Sequence, residues 1–136
     1  MELTLDVNWV AVVVAAVANM ALGFVWYQPK VFGQRWAAAS GRSLTELQAG
    51  GNSAYVVTAL MALISSYVLA QFLNVTSTQN AYEGALIGVI GWAGFTATAS
   101  TVDHLFSGRS RELWSIQNGY QLVGFTLMGA ILGYLM

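Results

Sequence analysis

The 136-residue chain contains no cysteine, one histidine and one proline, and only 8% of its residues are charged. Without cysteine there are no disulfides, thiolate metal sites or cysteine nucleophiles. One histidine excludes a multi-histidine metal site within a single chain. No serine has a matching His and Asp at a recognisable spacing, and no acids cluster in a pocket-forming segment. The expectation is therefore a protein that is not an enzyme and holds no cofactor or metal. A formal net charge of −1 gives no basis for nucleic-acid binding.

What the chain has in place of charge is apolar length. Hydrophobic residues make up 57% of it. Residues 7–29, 47–82, 84–102 and 113–136 carry no Asp, Glu, Lys or Arg. A helix needs about 20 such residues to span a hydrocarbon core. A soluble core helix of this length would show a charged face to water, and these segments show none. The pattern predicts an all-α integral membrane four-helix bundle, a single domain over 1–136 whose partner is the lipid bilayer. The predicted helices lie at about 7–27, 53–73, 81–102 and 112–135. Glu2 and Asp6 occupy the place of a positive n-region, so the first run reads as a retained helix rather than a signal peptide.

All five basic residues fall in two loops: Lys30, Arg35 and Arg42 after the first helix, Arg109 and Arg111 after the third. The positive-inside rule makes those loops cytoplasmic and places both termini outside. The connection 74–80 is short, so the second and third helices should form an antiparallel hairpin. The first cytoplasmic loop is longer and should carry a short interfacial helix. Pro29 suits a turn or a first helical turn. Val31, Phe32 and Trp36 offer apolar anchors beside Lys30 and Arg35. Ser43-Leu44-Thr45-Glu46 fits a capping box, with Gly50 and Gly51 closing the helix it starts. Trp9, Trp26, Tyr27 and Trp36 sit where aromatic belts form. Asn74-Val75-Thr76 matches a glycosylation sequon on the outer side.

Two residue classes could carry function. Gly84, Gly88 and Gly91 on the third helix, and Gly129 and Gly133 on the fourth, are spaced for close helix packing, within a protomer or between protomers. The uncharged polar residues are the second class. Asn8, Asn19, Gly23 and Trp26 share one stripe of the first helix; Trp114, Gln117, Asn118 and Gln121 form a patch on the fourth; Thr96, Thr98 and Thr101 lie on the third. Asn19 and Gln121 fall within roughly 5 Å of the midplane, counted at about 1.5 Å per residue. The candidate polar site is thus Asn19, Thr98, Asp103, His104, Gln117, Asn118 and Gln121. It reads either as an interhelical amide network or as a polar site opening to the cytoplasm. Asn80-Ala-Tyr-Glu83 reads as a helix cap, and Glu112 suits the first turn of the fourth helix. Adjacent Asp103 and His104, near Arg109 and Arg111, read as a salt-bridged helix end or as a pH-sensitive gate.

The segments Val7-Asn8-Trp9, Gly23-Phe24-Val25-Trp26-Tyr27-Gln28-Pro29, Phe32-Gly33 and Trp36 form a distinctive opening. Leu105-Phe106, Gly108-Arg109, Trp114, Asn118-Gly119-Tyr120 and Met128-Gly129-Ala130-Ile131-Leu132-Gly133 form a distinctive close. Together they resemble the DUF1761 family of small membrane proteins over essentially the whole chain. The resemblance implies a four-helix membrane protein of bacterial or related type and does not imply an activity; the expected location is a bacterial inner (plasma) membrane, multi-pass. Members of that family often carry His where this chain has Gln121.

The leading functional expectation is a homo-oligomeric transporter or channel-like protein for a small solute or ion. Small multidrug exporters have similar size but an intramembrane glutamate. No carboxylate lies near a helix midpoint here, which disfavours proton-coupled export and leaves passive conduction or uptake. The alternative is an accessory or structural subunit docking onto another membrane protein.

Overall fold

A helix leaves its first amide donors unpaired, and three helices here begin where a side chain takes one over. In the computed structural model, which describes residues 6–41 and 51–136, α1 spans Trp9–Trp26. Asn8 Oδ1 accepts from the Ala11 amide at 3.1 Å. Helix α2 spans Gln34–Ser40 and α3 spans Gly51–Val75. Helix α4, Ala81–Gly91, starts at Asn80, whose Oδ1 accepts from the Glu83 amide at 2.8 Å, the cap the sequence predicts. Helix α5 spans Ala97–Ser107. Helix α6, Arg111–Leu135, starts at Ser110, whose Oγ accepts from the Leu113 amide at 3.1 Å. Gly41 and Gly108, both at φ +72°, end α2 and α5 in the left-handed conformation that glycine adopts without strain.

Among the described residues, two π turns interrupt the helices. Pro29–Gly33 leads into α2, and Trp92–Thr96 joins α4 to α5 in one continuous rod. A short helix, α2, does follow α1, formed by residues 34–40. The capping box at Ser43–Glu46 lies outside the described residues. Among the described residues every regular element is helical.

Among the described residues, three segments are long and apolar enough to cross a membrane: Trp9–Trp26, Ser53–Val75 and Ala81–Ser107. Helix α6 has 25 residues but is not one of them. Arg111, Glu112, Gln117, Asn118 and Gln121 crowd its first half and lower its mean hydropathy.

The packed core lies at the end where α1 begins and α6 finishes. Val12, Ala15, Leu69, Leu73, Met128 and Leu132 are buried there, drawn from α1, α3 and α6. Ser66, also buried, donates from Oγ to the Val12 carbonyl at 2.8 Å and ties α3 to α1. Such interhelical bonds average only about 0.6 kcal/mol in membranes, so this one fixes register more than stability.

Helices α4 and α6 meet backbone to backbone. A Cβ on Gly84 would fall on the Gly129 carbonyl, and one on Gly88 would fall on the Phe125 carbonyl. Reciprocally, Gly129 faces the Gly84 carbonyl and Gly133 the Asn80 carbonyl. The two glycine stripes are thus used against each other within the protomer. Gly91, the third glycine of the α4 stripe, has nothing within 4 Å of its Cβ direction.

The polar stripe of α1 is its seam with α6. Asn8 donates from Nδ2 to the Leu135 carbonyl at 3.0 Å. Asn19 lies over Gly124, Gly23 over the Tyr120 hydroxyl, and Trp26 over Gly119. Each step along α1 meets an earlier turn of α6, as an antiparallel pair requires.

Candidate polar site around helix α6

At the end where α1 finishes and α6 begins, aromatic rings replace the aliphatic core. Trp26 donates from Nε1 to the Ile116 carbonyl at 3.1 Å, and Tyr120 donates from its hydroxyl to the Asn19 carbonyl at 3.1 Å. Trp26 packs on Phe32 with centroids 4.7 Å apart, and Tyr27 packs on Trp36 at 4.7 Å and on Tyr120 at 5.6 Å. Burial, with the neighbouring Tyr120 hydroxyl, pushes the Tyr27 phenol well above its ordinary pKa, so it stays neutral. Arg35 approaches Glu112 at 3.9 Å, linking α2 to α6. Both side chains are more than half exposed, so the pair contributes little.

The candidate residues divide between two faces of α6 and the outside of α5. On the α5 side, Asn118 is buried and accepts from Ser100 Oγ at 2.6 Å while donating from Nδ2 to the Trp114 carbonyl at 3.0 Å. His104 lies against Trp114 with ring centroids 5.9 Å apart. Thr98 is exposed and bonds back to the Gly94 carbonyl of its own rod at 2.9 Å. Asp103 is exposed and reaches Arg109 at 3.7 Å, the ion pair expected at this helix end.

Gln117, Gln121 and Gly124 follow along α6 at spacings of four and three, and Gly124 meets α1. Asn19 rests on Gly124, which brings it within one turn of Gln121. Ser100, on the α5 side, and Tyr120, on the α1 side, also belong to the site. Ser100 is one small residue among many in the sequence, whereas Tyr120 is marked by the Asn118-Gly119-Tyr120 segment.

The hydrogen bonding around α6 is incomplete. Among the described residues, the side-chain amides of Asn19, Gln117 and Gln121 make no hydrogen bond. Trp92 Nε1, His104 Nδ1 and Trp114 Nε1 are buried without a partner. Leaving such groups unsatisfied away from water costs about 1–3 kcal/mol each. The amides and indoles of this set are uncharged and suit hydrogen bonding to a polar molecule. No group of three or more His, Asp and Glu side chains could hold a metal ion among the described residues.

No curated protein and no solved structure matches the chain significantly. A family model described as "Protein of unknown function (DUF1761)" matches residues 10–133, nine-tenths of the sequence, and the chain belongs to that family.

Proposed function

We propose that this protein is a four-span integral protein of a bacterial inner membrane that conducts or takes up a small polar solute or ion as a homo-oligomer. The observation that carries the reading is the set of amides Asn19, Gln117 and Gln121, which make no side-chain hydrogen bond among the described residues. In hydrocarbon such groups demand a polar partner, which a solute, water or a neighbouring copy supplies. Gln121 is exposed on the outside of the protomer, where a second copy would meet it. The distribution of basic residues supports cytoplasmic placement of the loops after α1 and α5. Helix α6 is about 37 Å long at 1.5 Å per residue, long enough to cross beside the three more apolar segments.

The experiment is osmotic re-swelling of proteoliposomes in glycerol, urea and potassium chloride, followed by light scattering. The protein should speed re-swelling over protein-free vesicles with at least one of these. Gln121→Leu should abolish that gain with oligomer size unchanged. Permeabilities equal to protein-free vesicles with every solute would turn the assignment towards an accessory subunit. The nearly unbroken exposure of residues 53–61 of α3 favours that second reading, since a partner protein could cover it.

A further inference from the structure

We propose that α5 has two rotational settings about the π turn at Trp92–Thr96, and that the second replaces His104 with Asp103 against Trp114. The inference deepens the reading above, because it concerns the α5 face of the same polar region. A π turn holds one residue more than the α-helical turn it replaces. Returned to α geometry, it would turn everything downstream by about 100° and advance it by about 1.5 Å. Residue 103 would then occupy the place of residue 104, and residue 99 that of residue 100.

Little opposes the turn. Helix α5 has no buried residue. The side-chain ties described between α5 and α6 are the Ser100–Asn118 hydrogen bond and the His104–Trp114 ring contact. A groove of about 400 Å³ beside Gly91, Phe95 and Thr96 leaves room for the π turn to rearrange. Neither Gly91 nor Gly94 has a neighbour within 4 Å of its Cβ direction. At the far end, Gly108 and the short loop to Ser110 can absorb the axial shift.

The unpaired nitrogens supply the reason for a second setting. Trp114 Nε1 is a donor with no acceptor, and His104 Nδ1 is buried beside it without a partner. A carboxylate accepts only. Asp103 turned inward would accept from Trp114 Nε1, while His104 turned outward would have its ring nitrogens open to partners. At present Asp103 is held by a 3.7 Å pair with Arg109 in which both side chains are more than half exposed. The two settings thus place either an imidazole or a carboxylate against Trp114, and the second favours a cation beside it.

The absence of cysteine makes the test direct. Oxidative crosslinking in native membranes would compare the pairs Ser100→Cys/Asn118→Cys and Ala99→Cys/Asn118→Cys, with Val102→Cys/Asn118→Cys as the off-face control. Disulfides require Cα separations of about 4.4–6.8 Å, so each pair reports one facing. Both test pairs should crosslink well above the control. Deleting Ala93 removes the extra residue of the π turn and holds the present facing, so the Ala99 pair should be lost and the Ser100 pair kept. An Ala99 pair no better than the control, or one that survives the deletion, would overturn the rotation. Failure of the Ser100 pair would overturn the α5–α6 contact and the rotation with it. Solute flux through vesicles is a separate readout, so the proposal can fail while the conducting role stands.

Discussion

Gly84→Ala is expected to destabilise the protein by about 2–3 kcal/mol, the upper range for forcing extra atoms into a packed site. The added methyl would land on the Gly129 carbonyl, with Gly133 also close. The obstruction is backbone on a facing helix, so no rotamer change relieves it. The α4 and α6 axes must separate, and the matching contacts at Gly88–Phe125 and Gly133–Asn80 loosen with them. Gly91→Ala, about two helical turns on, is the internal control. Its methyl meets nothing within 4 Å, so removing a helical glycine should leave stability unchanged or raise it by up to about 1 kcal/mol. Thermal unfolding in detergent, followed by circular dichroism, measures both. Equal midpoints for the two variants would mean that the glycine seam does not hold the bundle.

Gly33→Ala should cost about 2 kcal/mol by the same mechanism at the other end of the molecule. Gly33 closes the π turn by donating to the Gln28 carbonyl at 2.9 Å. A Cβ there would strike the Tyr27 carbonyl and the Gln28 backbone. The turn must open, and α2 moves away carrying Trp36 off Tyr27. The expected signature is a lowered thermal midpoint together with weaker near-ultraviolet circular dichroism from the coupled rings. An unchanged near-ultraviolet signal would show that α2 docks without help from this turn.

Much of the fold is legible because apolar length and capping chemistry are local. The charge-free runs locate the four long helical rods to within a few residues of where they form, except that the third continues to Ser107. Asn80 can be read as a cap because its partner, Glu83, is only three residues away. The stripe Asn8, Asn19, Gly23 and Trp26 is legible as one face, and that face proves to be the seam with α6. Neither π turn has a comparable signature. At Trp92–Thr96 the extra residue is accompanied only by open space around Gly91 and Gly94, which no local spacing announces.

The polar patch on α6 is harder to read. Spacings of three and four gather Trp114, Gln117, Asn118 and Gln121 on one broad arc. That arc is wide enough to touch two neighbours. Trp114 and Asn118 turn to α5, while Gln121 is left on the surface one turn from Asn19. Which side each residue takes depends on where α5 and α1 lie, and no spacing within α6 encodes that.

Native mass spectrometry of the protein released from its own membrane tests the central proposal most directly. The expected result is a homo-oligomer retaining a small polar molecule or ion, with that mass lost in Gln121→Leu. A monomer accompanied by a second protein, with nothing small retained, would contradict it.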